Sequence, residues 1–183
     1  MQYWTPEETL RLLKLVYDAN RTHHLAILVG LTFGLRVSEV LAIRGKDVQD
    51  GQLSVVRLKC SRTTLQPVFV HSNPLIDCSP LLESAKANPN GRLFGWSRQY
   101  MDSLIKKYGQ TAGLHHSKCH FHCAKHAAAM MVWNRSHSLG EIQNLLGHVS
   151  ASSSLCYLRE VDQAKGISSR NAAMNALIEA TLC

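Results

Sequence analysis

The sequence has no apolar run long enough to cross a bilayer. Its first residues, Met1-Gln2-Tyr3-Trp4-Thr5-Pro6, lack the basic stretch and apolar run of a secretory leader. These two absences set aside membrane-spanning and secreted readings. There is no internal repeat and no low-complexity tract. There is no Cys-x-x-Cys pair. Six cysteines (Cys60, Cys78, Cys119, Cys123, Cys156, Cys183) fall at irregular spacing in a chain large enough to fold without staples. Reduced thiols in a cytoplasm are the expectation. Acidic charge is also short: 13 Asp and Glu stand against 20 Lys and Arg, a net charge of +7 and a pI near 9.3. Such a surplus favours a polyanionic partner, most often nucleic acid.

What is present suits one domain. The 183 residues are 45% hydrophobic, enough for a real core. Most of the chain reads as helix. Thr5-Pro6-Glu7-Glu8 is a capping box with proline at the first helical position. A second helix is expected over 23–33, broken by Gly34, with another turn from Ser38-Glu39 through Ile43. The segment 52–70 changes character. Leu53 to Leu58 and Gln66 to Val70 are β-type runs around polar Ser61-Arg62-Thr63-Thr64, so the pattern predicts an antiparallel hairpin with Lys59 near its turn. A short strand near Val48 would join it, and Pro67 puts its strand at an edge. Helices resume after Ser79-Pro80, after Ser97, from His122 to Trp133 and from Ser138, with Gly147 as a stop. A short helix around Tyr157 and a last one over 165–182 complete the expectation. Asn88-Pro89-Asn90-Gly91 is the strongest turn signal and splits the domain roughly in half. The class is therefore mainly α with a small antiparallel β-sheet.

Four marks carry chemistry: Gly34-Leu35-Arg36-Val37-Ser38-Glu39, Lys59, His122-Cys123-Ala124-Lys125-His126, and Leu146-Gly147-His148 followed by Tyr157. They list a phenol nucleophile with cations and imidazoles able to grip one phosphate. Cleaving a phosphodiester with a side-chain hydroxyl needs those parts. Cations neutralise the charge developing on the non-bridging oxygens. A base takes the nucleophile's proton, and an acid protonates the departing oxygen. Arginine suits the phosphate best, because its planar fork donates two parallel hydrogen bonds. A covalent tyrosyl-phosphate conserves the bond, so the strand is rejoined without a nucleotide cofactor or a metal.

In order and spacing these marks resemble the tyrosine recombinases, the phage-type integrases. Arg36 sits in what looks like the first arginine motif. Lys59 stands eight residues before Pro67, as the family's hairpin lysine does. His122 to His126 is similar to the His-x-x-Arg-His box. His148 follows Lys125 by 23 positions, and Tyr157 follows His148 by nine. The resemblance covers about residues 5–160 and implies the tyrosine recombinase catalytic-domain fold. It implies that Tyr157 attacks to form a 3′-phosphotyrosyl link and that Arg36 holds the scissile phosphate. It gives Lys59 the proton for the leaving 5′ oxygen, His122 an acid/base role near the tyrosine, and His148 a hydrogen bond to a non-bridging oxygen. Glu39 would orient Arg36. The implied partner is double-stranded DNA, and the implied reaction integrates, excises or inverts a mobile element such as a phage genome.

Two departures stand out. Lys125 occupies the place of the family's second arginine, keeping the charge but not the fork; Arg62, Lys118 and Arg159 are candidates for a second cation. The chain also lacks room for the separate DNA-clamping domain that usually precedes the catalytic one, so 1–183 reads as a single catalytic domain. Residues 164–183 are expected to form an amphipathic helix that docks on a neighbouring subunit. Two other classes stay open. One is a catalytically silent DNA-binding relative. The other is a zinc-stabilised nucleic-acid-binding module, since Cys119, Cys123 and His126 fall within helical reach of one another.

Overall fold

A computed structural model describes residues 2–58 and 61–157. Lys59, Cys60 and residues 158–183, with Arg159 and the expected C-terminal helix, lie outside the described residues. Helix α1 (Pro6–Ala19) starts on a complete capping box. The Thr5 hydroxyl accepts from the Glu8 N–H at 3.2 Å, and the Glu8 carboxylate accepts from the Thr5 N–H at 2.8 Å. Asn20 ends α1 and caps α2 (Arg21–Thr32) by accepting from the N–H groups of Thr22 and His23. From His24 to Leu31 every residue of α2 is buried, so this helix is hydrophobic all round and runs through the core between α1 and α6. Helix α3 (Val37–Ala42) follows, then a tight turn over Gly45–Asp47.

Three short strands come next, β1 (Val48–Gln49), β2 (Gln52–Val55) and β3 (Thr64–Pro67), in the order β1-β2-β3 and all antiparallel. Leu53 pairs with Gln66 and Val55 with Thr64. The hairpin and the strand near Val48 follow the sequence expectation, and Pro67 lies on the edge strand β3. The ladder is shorter than the β-type runs suggest, because beyond Val55 the chain leaves the sheet and Arg57 turns inward to other partners. Then come α4 (Pro80–Ala87), α5 (Arg98–Thr111), α6 (His122–Ser136) and α7 (Leu139–Leu146), with single 3₁₀ turns at His116–Lys118, Ala151–Ser153 and Leu155–Tyr157.

The turn at Asn88 to Gly91 does not divide the chain. One cluster gathers Trp4, Leu13, Ile27, Leu53, Leu81, Ile105 and Phe121 from both sides of it. A smaller cluster between α6 and α7 holds Ala129, Met130, Ile142, Leu146 and Tyr157. Among the described residues no helix is long and apolar enough to cross a membrane.

Candidate active site

Arg36 sits just before α3, where Gly34 at φ +60° reverses the chain after α2. A side chain at Gly34 would press on Leu146 of α7 at 2.7 Å, so the turn needs glycine for both conformation and space. Three residues on, Glu39 is buried and saturated. Its Oε1 accepts from Arg36 Nη1 at 2.8 Å and from the Leu58 N–H at 3.0 Å. Its Oε2 accepts from the Arg36 N–H at 2.8 Å and from Arg57 Nη1 at 3.4 Å. Burial alone would raise the Glu39 pKa. The two backbone N–H groups and both guanidiniums outweigh it and hold the carboxyl below its ordinary range. The expected orienting contact between Glu39 and Arg36 is therefore present, while the Arg36 side chain keeps 20% of its surface exposed.

Helix α7 brings the next group. Gly147 stops it in the left-handed conformation at φ +67°. A Cβ there would meet the Arg62 carbonyl oxygen at 2.6 Å. That close approach lets the Arg62 N–H bond the Gly147 carbonyl at 2.7 Å, tying the hairpin to the end of α7. His148 follows directly, with Nδ1 2.9 Å from the buried Ser154 hydroxyl. With that hydroxyl donating, the ring proton rests on Nε2. Burial first, then the charges of Lys125 and Arg36, push the His148 pKa down to about 4, so the ring is neutral at ordinary pH.

Lys125, on α6, is only 2% exposed, and its ammonium has no hydrogen-bond partner among the described residues. Burial, then repulsion from Arg36, lowers its pKa to about 8, with Glu39 pulling the other way. The charges of Lys125 and Arg36 both act on His148, and that of Arg36 acts on Lys125 and on Tyr157 as well.

Tyr157 is 2% exposed, packed in the small cluster between α6 and α7. Burial raises its pKa well above the ordinary phenol value, and Arg36 pulls it back in part. The His126 imidazole reaches its hydroxyl, with Nδ1 at 3.1 Å. Burial and then His122 lower the His126 pKa to about 3, so the His126 ring beside the phenol is neutral at ordinary pH. His122 is exposed and packs edge-on against His126 at 4.3 Å between ring centres. His122 is exposed, whereas Lys125, three residues on along α6, is buried.

A cleft of about 610 Å³ opens beside Arg36, with Ser38, Arg98, Lys106, His120 and His122 on its walls. Lys118, a candidate second cation, pairs instead with Glu8 at 2.7 Å. The zinc candidates turn to different partners. Cys119 faces the Leu114 and His115 carbonyls, Cys123 contacts His120, and His126 contacts Tyr157. Among the described residues no group of three such side chains is arranged to hold a metal.

The sequence model of the phage integrase family matches residues 2–164. The chain belongs to that family. It is 29% identical over 163 residues to tyrosine recombinase XerC of Methylobacterium nodulans, covering 81% of this chain and 48% of that protein. It is 25% identical over 165 residues to a tyrosine recombinase of Pseudothermotoga lettingae, covering 87% and 57%. The chain thus spans about half the length of the curated relatives it matches. Its fold is that of tyrosine recombinase catalytic domains. It is similar to the XerH recombinase bound to its difH substrate (TM-score 0.69, 22% identity, 91% of this chain and 52% of that one). It is similar to the lambda integrase catalytic core (TM-score 0.65, 21% identity, 81% and 92%) and to the catalytic domain of bacteriophage HP1 integrase (TM-score 0.64, 17% identity, 96% and 98%).

Within this phage integrase fold the sequence reading missed two residues. His126 closed the run from His122 and was considered only as a zinc ligand, not as a neighbour of Tyr157. Arg57 was not singled out, yet its side chain is wholly buried beside Glu39. A signal was available, because Arg57 falls in alternation with Leu53 and Val55, the two inward residues of β2. A charged residue in phase with a buried face needs buried partners.

Proposed function

We propose that this chain is the catalytic domain of a site-specific DNA recombinase that cuts and rejoins strands through a 3′-phosphotyrosyl link to Tyr157. The observation that carries the reading is Lys125: a buried ammonium with no hydrogen-bond partner among the described residues, whose charge acts on neutral His148 as that of Arg36 does. A site with unanswered positive charge is suited to one phosphate. In this reading Arg36 and Lys125 hold the non-bridging oxygens, and His148 adds an N–H donor. Lys59 protonates the leaving 5′ oxygen. His126 or His122 relays the Tyr157 proton. The cleft lined by Arg98, Lys106 and His122 receives the flanking duplex. Because Tyr157 is buried, the turn at 155–157 has to move for the phenol to attack in line. The element served is a mobile segment such as a phage genome, inside a host cell.

Assembly on DNA fits the same reading. An apolar groove of about 490 Å³ is lined by Leu10, Leu13, Leu31, Phe69, Met131 and Leu145. Residues 164–183 of a neighbouring copy are its proposed occupant, with Ile167, Met174, Leu177 and Ile178 as the apolar face.

The test uses a pool of short nicked duplexes of random sequence and a denaturing gel. The parent chain should form a covalent adduct, with chelators present, and sequencing the captured strands identifies the preferred site. Tyr157→Phe should form none and bind DNA nearly as well, since binding rests on cations. Adduct from the Phe variant would send the nucleophile elsewhere. A second reading, a silent DNA-binding relative, is favoured by the buried phenol and by lysine in the arginine position; binding without adduct in the parent chain would establish it.

A further inference from the structure

We infer that Arg57 is a positioning residue that sets Arg36 and His148 around the phosphate and leaves the Arg36 charge free to meet it; this rests on the recombinase reading above. A guanidinium carries five N–H donors, and here all five are used. Nε donates to the Thr64 hydroxyl at 2.9 Å. Nη1 donates to the Gly34 carbonyl at 3.0 Å and to Glu39 Oε2 at 3.4 Å. Nη2 donates to the Phe33 carbonyl at 2.8 Å and to the Leu145 carbonyl at 2.7 Å. Its acceptors come from three segments far apart in sequence. Phe33 and Gly34 precede Arg36 by two or three residues. Thr64 lies across the hairpin that carries Lys59. Leu145 is the last turn of α7, three residues before His148. The Arg57 stem packs under Gly147, where a Cβ would come within 3.0 Å of Arg57 Cγ.

The charge argument is separate from the geometric one. Glu39 faces two guanidiniums, not one. A single Arg36–Glu39 pair would be neutral and would offer a phosphate little. With Arg57 sharing the carboxylate, the trio keeps a net charge of +1, and the part of Arg36 that reaches solvent carries it. Lysine cannot replace this arrangement, because three donors on a point cannot serve five acceptors in a plane.

The test uses the full chain and two readouts. The first needs no DNA: NMR signals of the Arg36 Nε–H and the His148 ring in parent, Arg57→Lys and Thr64→Val proteins. Thr64→Val removes only the Nε anchor and serves if Arg57→Lys does not fold. Both sets of signals should move in each variant, while those of His115, remote from the junction, stay fixed. Unmoved Arg36 and His148 signals in a folded variant would overturn the inference. The second readout is single-turnover cleavage at saturating protein, on a duplex captured from the random pool by the parent chain. Arg57→Lys should lower the cleavage rate about tenfold with less than a twofold change in DNA affinity. In a background lacking both groups, Arg36→Ala with His148→Ala, it should cost less than twofold more, since a residue acting through them has nothing left to position. A full tenfold loss in that background would assign Arg57 a purely structural role. A parent chain that forms no adduct would defeat the recombinase reading, while the NMR readout would still decide the positioning claim.

Discussion

Two buried cations sit within reach of each other's charge, and they are treated in opposite ways. Arg57 spends all five donors on fixed acceptors, and Lys125 spends none among the described residues. Both are desolvated, and burial lowers both pKa values. The difference teaches what each is for. A buried charge with every donor met is part of the scaffold, since taking it away strands its acceptors. A buried charge with no partner costs stability in the free protein, and it is repaid only when an anion arrives.

The scaffold side breaks hardest. Arg57→Met should destabilise the chain by about 3–5 kcal/mol, because three backbone carbonyls and a hydroxyl lose their donor inside the core. Denaturant unfolding measures this. A loss under about 1 kcal/mol would mean that water or a shifted side chain serves those carbonyls, and the contrast with Lys125 would collapse.

The other side breaks in rate. Lys125→Ala should slow cleavage on the order of a hundredfold to a thousandfold, the usual cost of one missing transition-state donor. Yet Lys125→Met should raise stability by about 1–3 kcal/mol, because it removes an uncompensated buried charge. Opposite signs for activity and stability at one position distinguish an unfilled anion site from a packing lysine. Slower cleavage with lower stability would instead class Lys125 with Arg57.

The sequence made this contrast only half legible. Arg36, Glu39, Lys125, His148 and Tyr157 could be picked out because each stands in a short motif at a countable distance from the next. The helices were readable from caps that satisfy themselves locally: Thr5 with Glu8, Ser97, and Gly147 as a stop; the Asn20 cap was not read, and α2 starts two residues earlier than expected. Arg57 was invisible to such counting, because its acceptors are 7, 23, 24 and 88 positions away. For the same reason the sequence offered Arg62, Lys118 and Arg159 as the candidates for a second cation. Only the fold shows that Arg57 is the one beside Arg36, and that it supports the site from behind. That His126 lies at the phenol, beside the His122 named from the motif, has a simpler cause. The two residues are one turn apart on α6, and which of them faces Tyr157 depends on how α6 is rotated against α7.

The histidines sharpen the comparison on the acid side. His148 and His126 have folded pKa values of about 4 and about 3, both below the ordinary 6.5. The unfolded chain therefore takes up protons first as pH falls. Stability should be intact above about pH 6.5 and decline towards pH 4, by about 1–2 kcal/mol for each ring at pH 5. Lys125 is a named cause of the His148 shift, so Lys125→Met should weaken the acid decline. Arg57→Lys keeps its charge and should leave that electrostatic contribution nearly unchanged. Equal acid profiles for parent and Lys125→Met, followed by thermal unfolding across pH, would show that Lys125 and His148 do not feel each other.

The smallest effect lies on the alkaline side, where the two cations differ in kind. Arginine stays charged at any working pH, whereas the Lys125 pKa is lowered to about 8. Between about pH 8 and its ordinary 10.5 the unfolded chain holds a proton that the folded chain has released. Folding stability should therefore rise with pH through this window. Cleavage should move the other way. Once Lys125 is neutral, one phosphate charge goes unanswered, and kcat/KM should fall about tenfold per pH unit above about 8. A bound phosphate favours the ammonium, so the fall in kcat should begin at higher pH than the fall in kcat/KM. Lys125→Arg should cleave at least as fast as the parent at neutral pH and lose this alkaline fall, provided its longer fork fits beside Arg36. A Lys125→Arg variant that keeps the parent's alkaline profile would place the titrating group elsewhere, with Lys59 the first to examine.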